Sequence, residues 1–202
     1  VVASSAILAL LLAALGFHSL WKYGSIAGKR SVLAAFMSGI VLSPFGYALY
    51  KSATLPRLAD ISTDLADPPL FSGIKDSGLN ATIQTSAYPN VSGRRYEITA
   101  DRVVPFVEKL VVDFGWVPVA PNTEAAPTEE ILVEADVKTF IFGFKDKIVV
   151  RVTDEGQTTF VDMRSRSGFG DNDLGANAAR ITAFLKELDL LVATAPAVQP
   201  GK

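Results

Sequence analysis

The chain opens on two long apolar runs and then changes character. Residues 1–20, VVASSAILALLLAALGFHSL, contain no Asp, Glu, Lys or Arg. About twenty apolar residues suffice to cross the hydrocarbon core of a bilayer, so this run predicts a membrane helix. A second uncharged run, residues 31–50 (SVLAAFMSGIVLSPFGYALY), predicts another. Pro44 lies inside it and removes one backbone donor, which membrane helices tolerate where another group satisfies the freed carbonyl. Ala35, Gly39 and Ser43 recur at four-residue spacing, a small-residue stripe that lets a neighbouring helix approach closely. A cleaved signal peptide is the competing reading of the first run. The absence of a basic stretch ahead of it and the second run behind it argue against that.

The next segment, residues 52–93, shows little periodicity. Its stretch DISTDLADPP (60–69) is rich in turn formers, and Pro68-Pro69 forces extended backbone. A segment this long without its own pattern is uncommon inside a compact domain. It is expected to lie as an ordered strap on the domain or on a partner.

From residue 94 the pattern clears. Arg94 to Ile98 predicts a short strand. Thr99 or Asp101 can cap a helix running to Phe114, with Val103, Val107, Leu110, Val111 and Phe114 on one face and Gly115 as its stop. Residues 116–119 predict another short strand. After the loop 121–129, Ile131, Val133, Ala135 and Val137 alternate with Leu132, Glu134, Asp136 and Lys138. Ile148, Val150 and Val152 alternate with Val149, Arg151 and Thr153. The turn 154–157 leads to a strand over 158–165 in which Val161 and Met163 point inward, a hairpin pattern. A last helix begins near Asp171 or Asp173 and buries Leu174, Ala178, Ile181, Leu185 and Leu188. The order β-α-β-β-β-β-α with short loops predicts an α+β fold, an antiparallel sheet with two helices on one face. The expected division is a transmembrane hairpin (1–51), a strap (52–93), an α+β domain (94–192) and a disordered tail (193–202).

Charge adds a direction. The loop between the apolar runs carries Lys22, Lys29 and Arg30, whereas Lys51 and Arg57 are followed by Asp60, Asp64 and Asp67. The positive-inside rule puts that loop in the cytoplasm and both ends of the hairpin outside. The expected location is the inner (cytoplasmic) membrane, multi-pass, with the C-terminal domain in the periplasm. Trp21, Tyr23, Tyr47 and Tyr50 suit interfacial belts. Net charge is −2 with the cations scattered, so no nucleic-acid partner is expected. With no cysteine, disulfides, Cys-ligated metal and thiol catalysis are excluded. The single histidine, His18, lies in the first apolar run, so the globular part cannot assemble a Ser-His-Asp group.

The remaining candidate chemistry is modest. Arg151, Asp162 and Arg164 form a charged array on the sheet face opposite the helices. It is expected as a solvated face, with an interaction surface covered by the strap as the alternative. Asn177 and Arg180 are expected as exposed polar positions on the last helix, with capping or a buried polar bond as the plainer reading. Asp60, Asp64 and Asp67 lack the spacing of a calcium loop and read as solvated acids. Asn80-Ala81-Thr82 and Asn90-Val91-Ser92 match glycosylation acceptors by pattern alone. Phe140, Phe142 and Phe144 can line an apolar pocket or join the core. Asp136, Asp146 and Asp162 are the candidates for acid–base chemistry, and nothing in the sequence brings two of them together. No catalytic, cofactor or metal residue is assigned.

Several spaced segments carry a family resemblance. They are FKDKIVVRV (144–152), VDMRSRS (161–167) and DLGANAARI (173–181), preceded by DISTDLADPP, AYP (87–89) and the Gly115-Trp116 pair. Together they resemble the domain-of-unknown-function family numbered 1499, in its membrane-anchored bacterial type. The resemblance implies no agreed enzymatic activity. It implies apolar helices ahead of the domain, often three, and thylakoid association in plant and algal relatives. Because the chain starts Val1-Val2, an earlier helix is expected to be missing from it. One loop departs from the pattern: Ser167-Gly168-Phe169-Gly170-Asp171 stands where relatives carry a Ser-Arg-Val-Gly-Arg-like stretch. Losing two basic positions weakens any anion site at the following helix N-terminus. The expected function is a non-enzymatic, membrane-anchored accessory or scaffold subunit of a membrane protein complex in an energy-converting or envelope system. Its partners would be the lipid bilayer and other membrane subunits, with no cofactor. The alternative is a periplasmic binding module for a lipid or other apolar ligand.

Overall fold

The computed structural model describes residues 2–24, 28–73, 79–119, 130–139 and 143–195. The chain separates into two compact units, Val1–Leu55 and Pro56–Lys202.

The first unit is a helical hairpin of α1 (Val2–Tyr23) and α2 (Gly28–Thr54), each long and apolar enough to cross a membrane. Its seam is made of small residues. Ala6 and Ala13 of α1 and Ser31 and Ser38 of α2 are buried there. Gly16 marks the closest approach, since a Cβ on it would lie 2.1 Å from Ser31 Oγ. The expected stripe is only partly this seam: Ala35 is half-buried, but Gly39 and Ser43 are exposed. The reason is geometric. A strict four-residue spacing drifts around the helix, whereas two helices at a shallow left-handed crossing meet along alternating three- and four-residue steps, here Ser31, Ala35, Ser38 and Leu42. Ser43 has a different task. Pro44 cannot donate to the Ile40 carbonyl, and Ser43 Oγ donates to it instead at 2.9 Å. The helix therefore runs through the proline.

The second unit contains β1 (Asp60–Ser62), α3 (Ala81–Ala87), β2 (Arg94–Tyr96), α4 (Ala100–Asp113), β3 (Val117–Pro118), β4 (Glu130–Lys138), β5 (Lys145–Asp154), β6 (Thr159–Arg166) and α5 (Ala176–Thr194). All pairings are antiparallel, in the order β1-β6-β5-β4-β3. β1 and β2 share the outer edge of β6, β1 at Arg164–Arg166 and β2 at Thr159–Val161. The alternation in the sequence sets the faces. Ile148, Val150 and Val152 of β5 and Val161 and Met163 of β6 are fully buried against Val103, Val107 and Val111 of α4 and Ile181, Phe184 and Leu188 of α5. This is the expected α+β arrangement. Gly115 stops α4 as expected, with φ +71; its N–H bonds the Val112 carbonyl at 2.9 Å and that of Trp116 reaches Val111 at 3.0 Å. Trp116 stacks on Phe184 with ring centroids 5.5 Å apart.

Three local differences appear. The first strand of the pattern is Arg94–Tyr96, shorter than expected. Leu174 precedes the last helix rather than lying in it, and Phe184 fills the face instead. The short helix α3 interrupts the strap; Asn80 caps it by accepting from the Ile83 N–H at 3.1 Å. The loop 121–129 lies outside the described residues, as does the tail beyond residue 195.

Candidate functional site

The sheet face away from the helices is where sequence and structure diverge. Arg151, Asp162 and Arg164 alternate outward on β5 and β6, as their parity requires, but they do not meet water. Their exposures are 7%, 1% and 1%. The strap covers them, so the expectation of a solvated face is corrected. The alternative, a face covered by the strap, is the one realised.

Two arginines hold the strap. Arg164 Nε and Nη2 bond the two carboxylate oxygens of Asp60 at 2.9 and 2.7 Å. Its Nη1 donates to the Pro69 carbonyl at 3.2 Å, and Phe71 lies against the guanidinium with the ring centroid 5.0 Å away. Arg151 bonds Asp162 on its own sheet at 3.0 Å, then reaches Asp67 at 2.9 Å, Asp64 at 3.3 Å and the Asp67 carbonyl at 2.9 Å. Asp64 shapes its turn by accepting the N–H groups of Ala66 and Asp67. The strap's acids are therefore counter-ions to the arginines: Asp60 is buried, Asp64 is partly buried, and Asp67 pairs with Arg151 while its own side chain stays 81% exposed.

Electrostatics agree with this packing. Burial lowers the Arg151 pKa, but its bonds to Asp67 and Asp162 outweigh that and raise it. Burial pushes the Asp162 carboxyl up, against the pull of Arg151. Around these clamps further polar groups pair, while the buried Ser62 Oγ has no hydrogen-bond partner among the described residues. Thr63 Oγ1 donates to Asp162 at 3.2 Å and accepts from the Met163 N–H at 2.8 Å. Gln84 of α3 pairs with the backbone of Ser62 in both directions, at 3.2 and 2.6 Å, and so finishes the open edge of β1 like a further strand residue. Ser72 donates to Glu134 at the far margin of the strap.

A second buried cluster sits between sheet and α5. Arg180 bonds Asp146 at 2.8 Å, Ser165 Oγ at 2.7 Å and Asn177 Oδ1 at 2.6 Å. Asn177 is fully buried and also donates to the Ala59 carbonyl and to Ser167 Oγ. The expectation that Asn177 and Arg180 are exposed is thus corrected; the plainer reading, a buried polar bond, is the one realised. Asp173 accepts from the N–H groups of Gly175 and Asn177 at 2.8 and 2.6 Å, and burial raises its pKa against those bonds.

The three acid–base candidates stay apart. Asp146 belongs to the Arg180 cluster, Asp162 to the Arg151 clamp, and Asp136 pairs with Lys147 at 3.4 Å. Among the described residues no group of three or more His, Asp or Glu is placed to hold a metal. Phe144 lies at the end of the sheet, stacked on Phe169, while Phe140 and Phe142 lie outside the described residues.

The comparison with protein families agrees with the motif pattern. The family model described as "Protein of unknown function (DUF1499)" matches residues 60–188. No curated protein matches the chain. A solved structure, the vertebrate conserved region of human METTL16, is similar over 52% of this chain and all of its own length, at 15% identity and a TM-score of 0.36.

Proposed function

The chain belongs to the DUF1499 family, whose function is unknown, and we propose that it is a non-enzymatic, membrane-anchored accessory or scaffold subunit of a membrane protein complex. The observation that carries this reading is the closure of the sheet's second face. Arg151, Arg164, Asp162 and the strap acids are joined to one another, so the charges that first suggest chemistry act to fix shape. The Asp146–Arg180 cluster does the same on the helix side. Such internal pairing suits a rigid module presented to other proteins better than one that binds and releases a substrate.

The hairpin supports the anchoring half of the proposal. Leu8, Leu11, Leu12 and Leu15 of α1 and Val32, Leu33, Phe36 and Ile40 of α2 point away from the seam and are exposed. Side chains of this kind along both helices call for a lipid surrounding. The basic loop and acidic strap orient the pair with the domain on the outer side, the periplasm of a bacterium. Gly39 and Ser43, left outside the seam, offer a close-approach face to a further helix.

The test is extraction of the native protein from its membranes in mild detergent, followed by size fractionation. Resistance to alkaline carbonate is expected, together with migration well above the mass of one chain in its micelle. Release by carbonate would refute the anchor. Migration as a lone monomer under every gentle extraction would refute the scaffold role.

A further inference from the structure

One end of the sheet displays an aromatic pair. Phe144, just ahead of β5, and Phe169, in the loop between β6 and α5, stack with ring centroids 5.3 Å apart and an interplanar angle of 20°. Phe169 remains 72% exposed and Phe144 42%. The display is built in. Gly168 packs so closely on the start of β5 that a Cβ would lie 1.8 Å from the Lys145 carbonyl oxygen, and its N–H faces the Asp146 carboxylate at 3.3 Å. Gly170 turns the chain back with φ +81. Two glycines therefore lift one phenylalanine outward.

Cations rim the pair. Lys138 and Lys145 are register partners across β4 and β5, and both are exposed. Arg57, on the approach to β1, is exposed as well. Lys147 and Arg166 form the next rung, engaged with Asp136 at 3.4 Å and Asp60 at 3.9 Å respectively. Asp171 is the exposed acid beside Phe169. The chain also enters the domain here: Asp60 pairs with Arg166, and β1 follows shortly after α2 ends at Thr54. At the opposite end of the sheet the turn 154–158 (Asp-Glu-Gly-Gln-Thr) carries no large apolar side chain, and the exposed apolar residues described near it are Ile131 and Leu132 of β4, 41% and 39% exposed.

From the coincidence of aromatic pair, basic rim and chain entry, we infer that this end of the domain docks on an anionic bilayer surface. Phe144 and Phe169 sit among the headgroups, and Lys138, Lys145 and Arg57 lie against lipid phosphates. The inference rests on the reading that the hairpin spans the membrane. It adds a second, peripheral contact with the bilayer.

The test uses the full chain in vesicles of phosphatidylcholine and phosphatidylglycerol. The native chain lacks cysteine, so Asp171→Cys carries one environment-sensitive dye beside Phe169, and Gln157→Cys carries one at the opposite end. Quenching by doxyl-labelled lipid is expected to be several-fold stronger at 171 than at 157. Phe144→Ser with Phe169→Ser should bring the 171 signal down to the 157 level, with the unfolding transition of the domain as the check that it still folds. Lys138→Glu with Lys145→Glu should weaken quenching in the same direction. If the protein floats with the vesicles but both dyes are quenched alike, docking is overturned and the anchor stands. If the protein does not float with them, the anchor itself is overturned. A 171 dye shielded from water yet untouched by doxyl lipid would mean a protein cover and would also overturn docking.

Discussion

Arg164→Met tests whether the strap is held by charge. Arg164 is the largest fully buried side chain among the described residues, and Asp60 is 2% exposed. Methionine replaces most of its volume without its donors. Asp60 is then left inside with Arg166 Nε at 3.9 Å as its remaining cation. Removing one partner of a buried ion pair costs about 3–5 kcal/mol, against roughly 0–1 for an exposed pair. Exposure near zero on both sides places this pair on the first scale. Domain stabilities run to about 5–15 kcal/mol, so the loss is a large share of the total. Adding Asp60→Leu removes the stranded carboxylate, and replacing a buried pair by apolar groups of similar volume is often neutral. Most of the loss should therefore be recovered in the double variant.

Urea unfolding of the full chain in detergent provides the measurement. Trp116 is buried against Phe184 and reports the core. Trp21, 94% exposed on α1, is replaced by Phe throughout so that the signal belongs to the domain. The single variant should lose roughly 3–5 kcal/mol, and limited proteolysis should begin to cut within residues 63–73. A loss under about 1 kcal/mol would place the pair with ordinary surface bridges and refute the reasoning. So would a double variant no better than the single one, because the stranded charge would then not be the cause.

Other expectations follow from the same contacts. Gly16→Cys with Ser31→Cys should close an intramolecular disulfide on mild oxidation: a Cβ at 16 would lie 3.2 Å from Ser31 Cβ, a little inside the roughly 3.5–4.5 Å that disulfides span, so a slight parting of the helices brings the pair into range; no gel shift would place the seam elsewhere. Ser43→Ala strands the Ile40 carbonyl and should cost about 1 kcal/mol, recovered by Pro44→Ala, as read by thermal unfolding of helix dichroism in detergent. Burial holds the Asp162 and Asp173 carboxyls above the ordinary carboxylate pKa. A raised carboxyl takes its proton in the folded state first, so its stabilisation is complete below the unfolded value, about 3.9, and is lost as pH rises through the folded one. The contribution of these groups should therefore grow as pH falls from neutral toward that value, so the urea midpoint of the native chain should gain on that of Asp173→Asn over this range; an unchanged difference between the two would remove Asp173 from the account.

The α+β fold was legible because period and parity are local. Val103, Val107, Leu110 and Val111 share a helical face, and Ile148, Val150 and Val152 share a sheet face, whatever packs on them. Burial of the opposite face was not legible from parity. Alternating Arg151, Asp162 and Arg164 look the same whether water or a carboxylate-bearing segment lies above them. The signal that distinguishes the two was present elsewhere: Asp60, Asp64 and Asp67 sit in a stretch with no pattern of its own, and their charge complements that face. Read singly they are solvated acids; read against the arginines they are counter-ions. The helix α3 was missed for a related reason, since Ala81–Ala87 is short and its one buried residue, Gln84, is polar.

These contacts also settle where the domain begins. Periodicity starts at residue 94, but the compact unit starts at Pro56, and the family match starts at Asp60 and ends at Leu188. Both ends of that match are tertiary positions. Asp60 is the bidentate partner of Arg164, and Leu188 is a fully buried residue of the α5 face. Leu58, Ile61 and Phe71 are buried as deeply as the strands. A domain cut at residue 94 would keep every regular element from β2 onward yet lose the edge strand of β6, the cover of its second face and the strap's counter-ions to Arg151 and Arg164. The strap is therefore part of the domain, and the stretch with the least periodicity carries the counter-ions of its buried arginines.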